Sequence, residues 1–393
     1  MILFEDELMY RNFKGEPWAV PRQKLHVKGK QAWQDSEDLN YMKALKPLFN
    51  FARILGILPI YMEENGNVKV RCLSLLTLYS VAVEGVMVAG ALLTIKERVG
   101  LVSSPGFTFM DNILEVGCGL CFIPSILVPI NHLPEVFRKT KYFSDWKRLQ
   151  TDFRRVTGRS LTLPLGRKVK LRLVATCATS AVFTAALFGL QRGHTWWQGI
   201  VFLYCTLLSG IMNDFWVFTN EACVITVSGI GQSLTAHMST KGPVTPSVVA
   251  DFALLWRQLS KQTRELGQAM GYTYGGQLLL YFSLQVVGTF GFIAVVQHSN
   301  IPVTFGFLAT AIIFSWQNYV FCNAAEKATR HVGSEFQEKI RTLSQTATLS
   351  SETKEERLLT TTGLEGQQLF CTCYSLTEQA DEVQYGLLSS DDA

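Results

Sequence analysis

Six blocks of mainly apolar residues dominate the chain, at about 73–95, 113–133, 171–190, 197–218, 278–296 and 303–322. Each can cross roughly 30 Å of hydrocarbon, which takes about 20 helical residues. A helix that is apolar all round has no face for water, so six such blocks need lipid as their solvent. Composition agrees. Hydrophobic residues make up 48% of the 393 and charged residues only 17%, with 25 Phe and 8 Trp, against roughly 25% charged in a typical soluble domain. These values exclude a disordered chain, a coiled coil and a disulfide-stapled secreted module. The expected fold class is all-α, a polytopic transmembrane helical bundle with six visible spans. The fourth block is expected to continue as helix as far as residue 230. No internal repeat is visible.

Lys and Arg set the expected orientation. The 135–170 connection holds eleven basic and three acidic residues, and ten more bases precede Arg71. The 228–277 connection adds Lys241, Arg257, Lys261 and Arg264. The opposite connections carry only Lys96 and Arg98, Arg192, and none at 298–302. The positive-inside rule places the amino terminus and the long connections in the cytoplasm. Six spans then return the carboxyl terminus to the same side. No signal peptide is expected before the first block. Four regions follow: a cytoplasmic amino-terminal region (1–72), the six-span bundle (73–323), a cytoplasmic helix (324–345) and a tail (346–393). The stretch LKPLFNFARILGILPI at 45–60 is interrupted by Lys46, Pro47, Arg53 and Pro59. It is expected as an interfacial or docking helix, not a span. The tail carries nine acids and two bases and is expected to be disordered. The remaining basic excess reads as topology information, with no nucleic-acid partner expected.

Glu84 lies near the middle of the first block. An ionisable side chain at that depth costs on the order of 2.5–3.5 kcal/mol on insertion scales, so it should face the bundle interior or a water-filled cavity. Glu115 sits near one end of the second block and Glu221 near the inner end of the fourth. Asn213 and Asp214 interrupt the fourth block and should face other helices. Pro124 and Pro129 are expected to kink the second span and to make room for a cavity. Trp196 and Trp197 stand at the outer boundary, where Trp anchors to headgroups. Small-molecule sites are mostly apolar with a few convergent polar groups. Glu84, Glu115, Trp197, Tyr204 and Gln285 are the ligand-binding candidates, in an expected cavity in the outer half of the bundle. Seven of the nine cysteines lie in or beside apolar blocks, and Cys118-x-x-Cys121 reads as packing. No metal-ligand spacing, cofactor motif, P-loop, H-E-x-x-H or G-x-S-x-G is present, so no cofactor and no enzymatic activity are expected.

Three segments carry a family resemblance. Residues 255–274 (LWRQLSKQTRELGQAMGYTY) and 321–343 (FCNAAEKATRHVGSEFQEKIRTL) resemble the fifth- and sixth-span flanks of insect gustatory receptors, in particular the carbon-dioxide receptor branch. Residues 50–60 (NFARILGILPI) resemble the family's amino-terminal segment, which ends in G-x-x-P-[IV]. The resemblance implies a seven-span protein of the plasma membrane with a cytoplasmic amino terminus. It also implies a homo- or hetero-tetrameric ligand-gated cation channel with other gustatory receptor subunits. Its ligand would be a small-molecule tastant or carbon dioxide, bound in the outer half of each subunit. In that family a seventh helix, marked by Thr-Tyr and Gln-Phe, lines the pore. Here residues 369–388 (LFCTCYSLTEQADEVQYGLL) are too polar to span and that motif is missing, so the chain is expected not to conduct alone. The alternative is a six-span membrane transporter, which would use Glu84 at the midplane but predicts internal pseudo-symmetry. A G-protein-coupled receptor conflicts with a cytoplasmic amino terminus.

Overall fold

All six apolar blocks are helical in the computed structural model, which describes residues 40–58, 60–62, 68–70, 74–102, 109–190, 195–240, 246–296 and 301–338. In chain order these form α1 (Asn40–Ile54), β1 (Ile60–Met62), β2 (Val68–Val70), α2 (Leu75–Val102), α3 (Phe109–Cys121) and α4 (Pro124–Thr157). They continue as α5 (Gly166–Leu190), α6 (Trp196–Thr240), α7 (Pro246–Val296) and α8 (Ile301–Arg330). A π-helical turn at His331–Glu335 follows α8. Among the described residues five helices are long and apolar enough to cross a membrane, six if a bent pair counts as one span. The residues before 40, and the tail expected over 346–393, lie outside the described residues.

The bent crossing follows from its prolines. Between α3 and α4 the Phe122 N–H donates to the Gly119 carbonyl and the Ile123 N–H to the Leu120 carbonyl, both at 3.1 Å. Such i→i+3 bonds tighten the chain into a turn. Pro124 then opens α4, where a missing N–H costs nothing. A second bend, of 75°, separates Glu115–Asn131 from Glu135–Thr157. Pro134 falls in that break, and a proline inside a helix removes a donor and clashes with the preceding turn. Of the two prolines expected to kink this span, Pro124 opens α4 and Pro129 lies within it, while the 75° bend falls at 132–134.

The long connections expected as polar loops are mostly helix. The 135–170 segment is helical to Thr157, and 228–277 holds the end of α6 and the first half of α7. Their apolar residues recur at helical spacing. Val136, Tyr142, Phe143, Trp146, Leu149 and Phe153 are buried on α4, as are Phe252, Leu255, Trp256, Leu259, Leu266 and Met270 on α7. Most charged residues occupy the opposite faces. Together with α1 and the end of α8, these half-helices form a base with a soluble-type core.

The helix expected as interfacial or docking proves to be docked. Tyr41, Leu45, Leu48 and Ala52 form one buried stripe on α1, which packs on α5 and α6. Tyr41 stacks on Trp146 at 4.4 Å, and its hydroxyl bonds the Thr219 hydroxyl at 3.1 Å. Gly56 ends the helix with φ of 75°; the Ile57 N–H reaches back to the Ala52 carbonyl at 2.9 Å, a glycine-capped stop. The three-residue strands pair antiparallel, Ile60 opposite Val70. At the other edge of the base the Trp256 indole donates to the Val332 carbonyl at 2.7 Å and stacks on Phe336.

Above the base the pattern inverts. Leu78, Val86 and Leu92 on α2, Leu171, Val174 and Val182 on α5, and Phe282, Phe290 and Ile293 on α7 are exposed. These are lipid-facing surfaces. The most apolar stretch of α6 is 61% buried, against 17% in α2 and 11% in α5, so α6 is the central helix of the bundle.

Candidate ligand cavities

Between the described membrane-level helices lie a larger and a smaller cavity. The larger, about 740 Å³, is a cleft between α5, α6, α7 and α8. Its charged residues collect at the base end. There Arg172 Nε donates to Asp214 at 2.7 Å, the Thr176 hydroxyl donates to the other Asp214 oxygen at 2.8 Å, and Lys168 pairs with Glu221. Asp214 is 2% exposed and Asn213 1%, and the Asn213 amide donates to Gln317 on α8. Both residues face neighbouring helices, as a polar pair in a span must.

The second cavity, about 90 Å³, sits in the far half, away from the base. It is lined by Gly117, Cys118, Phe183, Leu284, Gly288, Phe307 and Thr310 among others. Its shape depends on small residues. A Cβ on Gly288 would stand 2.9 Å from the Ala311 backbone nitrogen, and one on Gly117 3.2 Å from Val287. Only glycine lets α8 lie this close to α7. Cys118 and Cys121 are buried free thiols, in keeping with packing. Cys121, Phe183 and Leu284 line both cavities, so the two meet at those side chains. The far-half cavity is therefore the small one, and the larger volume lies nearer the base.

The five sequence candidates divide into separate places, and none lines either cavity. Glu115 is buried at the far end and paired with Arg98 at 3.3 Å. Arg98 also donates to Gln198 at 2.8 Å, and Gln198 in turn donates to Glu97 at 2.5 Å. Trp197, half-buried beside that network, packs on the cluster of Phe122, Val201 and Phe202. Tyr204 is buried and donates to the Leu55 carbonyl at 3.2 Å. Glu84, half-buried, lies within electrostatic reach of Tyr204 and of Lys139. Gln285 accepts from the Asn318 amide at 3.0 Å, tying α7 to α8.

Sequence reasoning missed two buried charge networks. Arg98 counted as a loop base, yet it is 2% exposed. Glu84, Met87, Ala91, Thr94 and Arg98 follow one another at spacings of three and four on α2, so helical periodicity held the signal. At the top of the base Glu135 and Lys139 form an ion pair at 2.9 Å with side chains 0% and 2% exposed. Glu135 also accepts from the Thr273 N–H at 2.9 Å and the Thr273 hydroxyl at 2.5 Å. Among the described residues no cluster of three or more His, Cys, Asp or Glu could hold a metal ion.

A multi-span helical bundle carrying small-molecule cavities, resting on a helical base, is the architecture of a membrane receptor or transporter. Comparison with known proteins decides between them. A family profile described as 7tm Chemosensory receptor matches residues 45–358. The chain belongs to this chemosensory receptor family, a family of receptors and not of enzymes. It is 22% identical over 377 residues to the gustatory and odorant receptor 21a of Drosophila melanogaster, covering 90% of this chain and 80% of that protein. It is also 22% identical over 349 residues to the gustatory and odorant receptor 22 of Anopheles gambiae, covering 86% and 73% respectively. The gustatory and odorant receptor 24 of the same mosquito is 22% identical over 303 residues, covering 75% and 64%.

Proposed function

We propose that the chain is a ligand-binding subunit of a gustatory-type, ligand-gated cation channel in the plasma membrane. It works in a tetramer with other gustatory receptor subunits and responds to a small, largely neutral molecule, carbon dioxide being the candidate. The observation that carries the ligand reading is the far-half chamber. At about 90 Å³ it is well below the roughly 300–1,000 Å³ of drug-sized sites. Its walls are apolar apart from the Thr310 hydroxyl and two thiols. The Glu115–Arg98 pair ties α3, one of its walls, to α2, and Gln285 ties α7 to α8, two others. In this reading the base faces the cytoplasm. Its exposed Lys and Arg support that orientation.

The test is current recording from cells that express the chain together with a second gustatory receptor subunit, surface delivery being confirmed. Carbon dioxide is applied at fixed external pH. A response abolished by Ala186→Phe, which fills the chamber wall, and retained in Val174→Phe on the lipid-facing surface, supports the reading. A response untouched by Ala186→Phe overturns the chamber as the site. A panel of tastants separates a wrong ligand from a wrong site. Glycosylation sequons placed at Pro105 and Ser160 check orientation, with modification expected at Pro105 alone.

A further inference from the structure

The larger cleft is polarised along its length. Its α5 wall runs from Lys168 to Phe183, which at 1.5 Å per residue is about 22 Å. That distance carries the cleft from one membrane edge past the midplane of a roughly 30 Å core. Every charged residue that lines it, Lys168, Arg172, Asp214 and Glu221, is at the base end, and the opposite end is closed by Cys121, Phe183 and Leu284. The rim includes Leu171, Ile312 and Trp316, which are 73%, 59% and 61% exposed on the surface that faces acyl chains. The mouth therefore opens sideways into the bilayer.

The four charges that line the base end pair off, and further bases flank it without lining it. Residues 166–172 read GRKVKLR, the first turns of α5. Asp214 and Glu221 engage Arg172 and Lys168. Arg167 and Lys170 are exposed and have no carboxylate partner among the described residues. A second, independent feature points into the cleft. Asn213 lines it and is 1% exposed, yet its carbonyl oxygen accepts no hydrogen bond. A buried acceptor left unmade is costly, and a hydroxyl-bearing occupant would supply the missing donor.

We propose that this cleft is a binding site for an anionic membrane phospholipid with a hydroxylated headgroup, drawn from the leaflet beside the base. One acyl chain lies along the apolar wall towards Phe183. The phosphate sits at the α5 amino-terminal turns, where basic side chains and free helix N–H groups favour an anion. A headgroup hydroxyl donates to the Asn213 carbonyl oxygen. Basic pockets between membrane helices bind anionic headgroups elsewhere by the same physics. The lipid would fill the gap between α5 and α8 and fix the spacing of the helices that also wall the far-half chamber. This inference stands whether or not the chamber binds carbon dioxide.

The test is native mass spectrometry of the full chain in mild detergent, with phosphatidylglycerol and phosphatidylcholine of matched acyl chains titrated in. One phosphatidylglycerol per chain is expected to survive activation that strips phosphatidylcholine. The double variant Arg167→Gln, Lys170→Gln should lower the preference by about fivefold or more, since each basic side chain near the headgroups adds roughly that much attraction. Thr179→Trp, which fills the cleft wall, should lose most retention of both lipids, while Val174→Trp on the outer face of the same helix should lose none. Thermal unfolding checks each fold; if Thr179→Trp fails it, Ala175→Phe takes its place. Equal retention by the two tryptophan variants, or no headgroup preference in the unmodified chain, overturns the proposal. So does retention that emerges only after residues 339–393 are removed, since the chain's own tail would then be the occupant.

Discussion

In the base, α7 buries Leu255, Trp256 and Leu259 and turns Arg257, Lys261 and Arg264 outward. A few turns further on, the same helix turns Leu279, Phe282, Val286 and Phe290 outward. One unbroken helix is thus folded against two solvents. In the base, water drives apolar side chains inward. At membrane level lipid is as apolar as leucine, and packing, small residues and interhelical hydrogen bonds hold the helices together. The base should therefore behave under mutation like a soluble core, and the bundle should not.

The largest effect is expected where a charge is buried in the base. Lys139→Met leaves Glu135 uncompensated at 0% side-chain exposure. Such a loss costs about 3–5 kcal/mol, and removing both charges is often nearly neutral. The single variant should lose that stability in thermal unfolding of detergent-solubilised protein, and the double variant Glu135→Gln, Lys139→Met should recover most of it. A single variant as stable as the parent would mean that water reaches the pair.

Trp256→Ala tests the packing side of the base. The ring stacks on Phe336 and its N–H holds the Val332 carbonyl at 2.7 Å. Truncating a buried Trp costs about 3–5 kcal/mol. The contact joins two segments distant in sequence, so limited proteolysis should cut the end of α8 first in this variant.

That contact also shows what the sequence could reveal. Trp256 and Phe336 lie in the two stretches, 255–274 and 321–343, that carry the resemblance to gustatory receptors. Gly56, the left-handed stop of α1, belongs to the third. The segments recognisable by eye are those that build the base, because a water-exposed amphipathic core constrains residue identity at helical spacing. The six spans were legible for a different reason, since length and apolarity alone mark them. The cavities were not. The far-half chamber is made by small residues such as Gly117 and Gly288 that carry no chemical label, and it exists only once α3, α5, α7 and α8 are assembled. The five polar candidates were chosen for being costly in lipid. The structure places four of them in hydrogen bonds, ion pairs or electrostatic contacts between elements, which is how a helix bundle meets that cost. The connections expected as loops were misjudged because their charge was weighed and their helical spacing was not.

A middling effect is expected where the bundle relies on close approach. In Gly288→Val the new Cβ would meet the Ala311 nitrogen at 2.9 Å, backbone that has no side-chain freedom to yield. Overpacking of this kind costs about 1–3 kcal/mol. A cysteine pair engineered across α7 and α8 should cross-link more slowly in this background if the helices are forced apart, and at the parent rate if they are not.

The smallest effect is expected at Trp316, the membrane-level counterpart of Trp256. It is 61% exposed and touches Tyr319 on its own helix at 5.7 Å between ring centres. Its outer surface meets acyl chains in the folded bundle, and it would meet them equally in separated membrane helices. Trp316→Ala therefore removes little that folding creates, and the change should stay within about 0.5 kcal/mol, the range of surface substitutions away from special contacts. Set beside Trp256→Ala, the same chemical truncation separates the two solvents directly. Unfolding should be followed in bilayer-mimicking bicelles, because detergent could replace lost lipid contacts at Trp316 but not the lost core at Trp256. A large loss at Trp316 would show that this face of α8 is covered by protein in the folded state, by a second subunit or by further chain, and the division between base and bundle would have to be redrawn there.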